Sequence, residues 1–188
     1  LHLCDRRQRQ MCIRDSYWIK ECDIDGWRMD VGDEISHYFW KNFRRAVKAV
    51  KKDMLIIGEI WHYAGDFLEG DEWDTVMNYP FYLNLIDLLA DEKINVSQFI
   101  QNLGYLKGRL NKKCYPLMWN LIDSHDTARF LHLCNNNKKK QHLAAAFQLL
   151  LPGMPMIYYG DEYAMPGAND PDCRRGMYWD EEYKLSLI

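Results

Sequence analysis

The stretch Asp25-Gly26-Trp27-Arg28-Met29-Asp30-Val31-Gly32-Asp33-Glu34 decides how the rest of the chain is read. Trp27, Met29 and Val31 alternate with Arg28 and Asp30, the period of a β-strand with a charged pair on one face. Charges turned inward from a strand are costly unless they pair or do chemistry. Taken alone, Arg28 and Asp30 read as a structural ion pair on a half-buried strand. Two further acidic strand ends later in the chain change that reading.

Outward from this strand, Ser36 is placed to cap a helix running to about Lys52. Its apolar stripe is Phe39, Trp40, Phe43, Ala46, Val47 and Val50, with lysines crowding the C-terminal end where the helix dipole favours cations. Met54-Leu55-Ile56-Ile57-Gly58-Glu59-Ile60 is a continuous apolar run that suits a buried parallel strand. Trp73 to Asn78 reads as a short strand and Phe81 to Ala90 as a helix behind it. Ser97 is placed to cap a helix carrying Phe99, Ile100, Leu103, Leu106 and Leu110. Leu117 to Ile122 is a strand ending at Asp123-Ser124-His125-Asp126, Lys138 to Leu151 a helix, and Met156 to Tyr159 a last strand before an irregular tail. Five strands separated mainly by helices predict a parallel α/β architecture, with a doubly wound sheet and a (β/α) barrel both open at this level.

With 188 residues, 48% hydrophobic and 14% aromatic, the chain can bury a sizeable core and is not disordered. A net charge of −3 recommends neither nucleic acid nor an anionic membrane as partner. No apolar run approaches a membrane span, and no glycine-rich phosphate loop follows a strand. Six cysteines, without a C-x-x-C pair or zinc-finger spacing, read as free thiols in a reducing, cytoplasmic compartment. His37, His62, His132 and His142 lack ligand-like spacing. Residues 1–16 show no period that joins onto the strand and helix pattern from Tyr17 onward, so they are set aside as an unstructured, non-native leader expected to pack poorly.

Three carboxylates stand at or just past strand C-terminal ends: Asp30, Glu59 and Asp126. In parallel α/β folds, barrels above all, active sites assemble at those ends. One carboxylate kept ionised beside Arg28 and another held protonated would give a nucleophile and a general acid. Retaining glycoside hydrolysis needs that division, with the two carboxyls about 5–5.5 Å apart.

Gly26-Trp27-Arg28-Met29-Asp30, Gly58-Glu59-Ile60-Trp61 and Asp123-Ser124-His125-Asp126 resemble three ordered motifs of the α-amylase family, glycoside hydrolase family 13. Met154-Pro155-Met156-Ile157-Tyr158-Tyr159-Gly160-Asp161-Glu162 is similar to the family's last barrel strand. Glu34 and the stretch Gly167 to Met177 resemble the neopullulanase, cyclomaltodextrinase and maltogenic amylase group. Gly32-Asp33 departs from that group's usual Ala-Asn, which leaves the balance of hydrolysis against sugar transfer open.

The resemblance implies a partial (β/α)8 TIM barrel, strands four to eight with their helices, over residues 17–188. It implies that Asp30 is the nucleophile, Glu59 the acid and then base, and Arg28 the group that keeps Asp30 ionised. Asp126 would hold the sugar's 2- and 3-hydroxyls and His125 would donate to the same ring. Trp61 would form an apolar wall beside Glu59 and stack on a sugar, or else pack in the core. Glu34 would contact an acceptor sugar, or stand as a solvated charge, and Arg174 and Arg175 read first as loop salt bridges.

The implied substrate is an α-glucan: cyclodextrin, pullulan, starch or maltooligosaccharide. Oligo-1,6-glucosidase or α-glucosidase activity is the nearer alternative, and a non-catalytic amylase-like binding or scaffold domain the more distant one. No cofactor is expected. No calcium site is evident, although calcium and a homodimeric state are left open for a longer parent. The family's first motif and its first three strands have no counterpart here, so the chain is expected to be a fragment, inactive by itself.

Overall fold

A computed structural model describes residues 14–179. They fall into two compact units, one reaching Met77 and including Leu110–Leu117, the other formed by Asn78–Arg109 and the chain from Met118 onward.

The first unit starts with a helix over 14–22 (α1). Residues 1–13 of the expected leader lie outside the described residues, but 14–16 do not behave as a leader. They are helical, and Asp15 is buried against the Arg14 guanidinium 3.2 Å away, its carboxyl pushed up by that burial. The strands β1 (Gly26–Met29), β2 (Leu55–Gly58) and β3 (Thr75–Val76) form a parallel sheet in that order. Gly26 stands opposite Leu55, Met29 opposite Gly58, and Gly58 opposite Val76. Between β1 and β2 runs α2 (His37–Val50), whose first turn is capped by Ser36 Oγ accepting from the Phe39 N–H.

The helix buries Trp40, Phe43 and Val47 as its stripe demands, while Ile56 and Ile57 of β2 are both buried, as suits a strand covered on two faces. The Trp73 ring closes this unit. It stacks on Phe67 at 4.2 Å and meets Trp40 edge-on at 5.6 Å. It also lies so close to Gly32 and Gly58 that a Cβ there would sit 2.5 and 2.2 Å from its atoms. Only glycine fits at either position.

In the second unit, α3 (Tyr79–Leu85) continues into a π-helical turn, Ile86–Ala90. It is followed by α4 (Val96–Arg109), β4 (Trp119–Leu121), α5 (Phe130–Leu133), α6 (Lys138–Leu150) and β5 (Met154–Met156). β4 and β5 pair in parallel with Trp119 opposite Met154. Phe81, Leu85, Phe99, Ile122, Phe130 and Ala144 form the core behind them.

The parallel α/β reading holds in every strand pair, and three local expectations are corrected. β1 stops at Met29 because Val31 turns into the left-handed region at φ 45°, so Asp30 sits just past the strand. The cap of α4 is Asn95, not Ser97: the Asn95 N–H donates to Gln98 Oε1 and the Gln98 N–H donates back to Asn95 Oδ1, while Ile100 is exposed. β5 begins two residues early, because the Met154 N–H donates to Met118 O and Gln148 Nε2 donates to Met156 O. The four-residue α5 is too short to show a period.

Among the described residues no helix is long and apolar enough to cross a membrane. Cys22, Cys114, Cys134 and Cys173 are free thiols, and Cys4 and Cys12 lie outside the described residues.

Candidate functional site

Arg28 on β1 and Glu59 just past β2 are brought side by side by the parallel register that sets Met29 against Gly58. The Arg28 guanidinium serves two carboxylates at once. Its Nη1 donates to Asp30 Oδ1 in a very short contact, and its Nη2 lies 2.9 Å from Glu59 Oε2. Such charge-assisted bonds are shorter and stronger than neutral ones and fix both side chains relative to the guanidinium. Asp30 has 74% of its side chain exposed and Glu59 only 7%, so one carboxylate faces solvent while the other is enclosed.

Glu59 has further partners. The Val31 N–H donates to Oε2 at 3.0 Å and the Trp61 indole N–H to Oε1 at 3.3 Å. Trp61 lies beside Glu59 as expected, and it does not pack in the core. It is partly exposed and turns its polar edge to the acid.

Glu34 is exposed. Together with Asp30, Arg28, Trp27, Phe39 and Trp40 it lines a cavity of about 760 Å³ along β1. His37 is paired with the buried Glu72 at 2.9 Å and stacked on Phe67, a structural arrangement. His62 lies 3.8 Å from Asp33, the residue that departs from the expected Asn.

His125 and Asp126 belong to the second unit. His125 Nε2 is 3.1 Å from Asp126 Oδ2. The segment is fixed from below by hydroxyls: the Asp126 N–H donates to Ser124 Oγ, the Ser124 N–H donates to Thr127 Oγ1, and Tyr79 Oη meets Ser124 Oγ at 3.3 Å. Arg174 holds it from the loop side, with Nε donating to His125 O at 2.9 Å and Nη2 3.4 Å from Asp126 Oδ1. The loop salt bridges expected of Arg174 and Arg175 are present, to Asp170 and Asp172. Arg174 reaches beyond its own bridge onto the acidic segment.

Behind Asp126 lies a polar cluster that sequence reasoning missed. Arg129 is fully buried and donates to Cys173 O, Tyr159 O and Asp161 Oδ1, with its guanidinium 4.2 Å over the Tyr158 ring. Asp161 and Asp123 are buried within this charge's field. Burial pushes Asp161 up to about 6. It pushes Asp123 up as well, helped by repulsion from Asp161.

Among the described residues no group of three or more His, Cys, Asp or Glu could hold a metal ion. The geometry is thus two carboxylates on neighbouring strand ends joined by one arginine, and a third held on a separately braced segment.

A model of the α-amylase catalytic domain matches residues 6–185. The chain belongs to the α-amylase family. A cyclomaltodextrinase of Thermoanaerobacter pseudethanolicus is 51% identical over 92% of this chain and 30% of its own length. Neopullulanase 2 of Thermoactinomyces vulgaris is 47% identical over 88% of this chain and 28% of its own. A solved structure of cyclic α-maltosyl-(1→6)-maltose hydrolase from Arthrobacter globiformis, in complex with that sugar, is similar with a TM-score of 0.91 and 36% identity. It is covered to 40% by 95% of this chain. The chain therefore spans less than a third of the length of the curated relatives it matches, and carries the TIM-barrel enzyme fold of this α-amylase family in part.

Proposed function

We propose that this chain forms strands four to eight of a (β/α)8 barrel in a retaining hydrolase of α-1,4-glucosidic bonds. One observation carries the reading: Arg28 joins Asp30 and Glu59, two carboxylates from the ends of adjacent parallel strands, with one open to solvent and the other enclosed. Asp30 attacks the anomeric carbon and forms a β-glycosyl ester while Glu59 gives its proton to the departing oxygen. Glu59 then takes a proton from water as that water attacks the same carbon, freeing Asp30. Asp126 and His125 hold hydroxyls of the reacting ring, and the bonds from Ser124 and Arg174 limit their movement.

The substrates are cyclodextrins, pullulan, starch or maltooligosaccharides, a class supported by the names cyclomaltodextrinase and neopullulanase. The strand numbering rests on the order of the motifs and on β1, which pairs only with β2 among the described residues and borders the open cavity. A closed barrel takes eight strands. The 188-residue chain alone is accordingly expected to show no turnover, and hydrolysis of a maltooligosaccharide by it at about 1 s⁻¹ or faster would overturn this part.

The mechanism is tested in a catalytically competent chain containing these residues by following the anomeric proton of the first product by NMR. Initial release of the α-anomer is expected. Initial release of the β-anomer would contradict a double displacement at Asp30.

A further inference from the structure

We propose that Val31 is a positioning residue: its main-chain N–H, carried in a left-handed turn, fixes the Glu59 carboxylate relative to Asp30. The proposal rests on the reading of Glu59 as acid and base. The non-glycine residues with positive φ among those described are Asp23, Val31, Glu92, Asn135, Asn136 and Ala164. Asn and Asp enter this region with little difficulty, but for a β-branched residue it is a true outlier that costs free energy. Val31 stands at φ 45°, ψ 47°. The residue is 45% exposed, so its own packing does not hold it there.

What holds it is the grip of the turn on Glu59. The Val31 N–H donates to Glu59 Oε2 at 3.0 Å, and the next amide, Gly32 N–H, donates to the Glu59 carbonyl at 3.1 Å. Consecutive amides thus bind the side chain and the main chain of one residue. The turn is locked from behind as well. The Trp40 indole N–H donates to Gly32 O at 2.8 Å, and Trp73 packs against both Gly32 and Gly58, the residue before Glu59.

Asp30 immediately precedes Val31, so the turn that carries the nucleophile also sets the acid. Arg28 contacts Oε2 from the same strand, but it is shared with Asp30. Among the described residues the Val31 amide serves no second carboxylate. It keeps Glu59 aimed through both half-reactions.

The first test is NMR of the uniformly ¹³C,¹⁵N-labelled chain from about pH 3 to about pH 8, spanning the carboxylate range. The groups facing Glu59 are Arg28, the Trp61 N–H and the Val31 N–H, with Asp30 across Arg28. The Val31 amide proton is expected to move with the Glu59 side-chain carboxyl carbon at one shared midpoint, and to stay flat in Glu59→Gln. An amide that is flat in the parent, or that moves equally in Glu59→Gln, would overturn the proposal.

The second test replaces Val31 by its α-hydroxy acid in a competent chain, putting an ester oxygen where the N–H was and leaving the side chain unchanged. A ten- to hundredfold fall in kcat, about the worth of one hydrogen bond to a charged group, is expected with KM unchanged. Undiminished kcat would overturn the positioning role alone. Glu59→Gln with undiminished turnover would instead overturn the acid assignment beneath it.

Discussion

Arg28 in the first unit and Arg129 in the second are each set against two carboxylates, and the two clusters differ chiefly in exposure. In the first unit Arg28 serves Asp30 and Glu59 at the rim of the sheet, and Asp30 is largely open to solvent. In the second, Arg129, Asp161 and Asp123 are all buried, and both carboxyls are pushed up by desolvation. In the first cluster one carboxylate, Asp30, is open to a ligand while its neighbour Glu59 is enclosed. A buried cluster with a single positive charge for two acids holds a proton and serves as scaffold. The tetrapeptide Asp123-Ser124-His125-Asp126 contains both kinds: Asp123 is 1% exposed, while the Asp126 side chain is 32% exposed.

The comparison breaks most sharply at Asp30. In a competent chain, Asp30→Asn removes the covalent route and is expected to lower turnover by more than the roughly 10²–10⁴-fold that loss of acid–base help costs. A steady-state assay on maltooligosaccharide that finds substantial turnover would place the nucleophile elsewhere. Glu59→Gln is expected to fall within that roughly 10²–10⁴-fold range, and substrates with good leaving groups should lose least.

The buried cluster should answer in stability instead. Arg129→Met leaves Asp161 and Asp123 without their cation and is expected to destabilise the chain by about 3–5 kcal/mol in urea unfolding. A loss under about 1 kcal/mol would show that Arg129 is not the charge on which the pair depends.

A smaller effect concerns pH. The folded-state value of Asp161, near 6, lies above the ordinary aspartate value of 3.8, and Asp123 is raised too. The folded chain therefore binds these protons more tightly than the unfolded chain does. The stabilisation is complete below about pH 4 and is lost as the pH rises through the folded value. Asp123→Asn is expected to flatten the stability curve between about pH 4 and pH 7, followed by urea midpoint. A curve as steep as the parent's would remove the pair from the account.

The sequence made the reactive cluster legible because its residues lie at strand ends in short motifs, and period-two alternation marks where strands end. Arg28, Asp30 and Glu59 came forward in that way, and their shared geometry follows from parallel register. Arg129 did not, because Asp126-Thr127-Ala128-Arg129-Phe130 carries no period, and burial of a lone arginine depends on carbonyls more than 25 residues away at Tyr159 and Cys173. Trp61 was legible as a neighbour of Glu59, but the direction its ring faces is a tertiary matter. Val31 was read as the next step of a strand, since alternation says nothing about a left-handed turn stabilised by its own contacts to Glu59. The helices were found to within a few residues wherever an apolar stripe ran three turns or more.

A covalent bond between Asp30 and the sugar can be trapped. A competent chain is incubated with a fluorinated α-glucosyl fluoride that forms the ester quickly and loses it slowly, then digested with trypsin. The added sugar mass is expected on the peptide beginning at Met29, located to Asp30 by fragmentation and absent from Asp30→Asn. The same mass on the peptide that contains Glu59, or an active enzyme that never acquires it, would contradict the account.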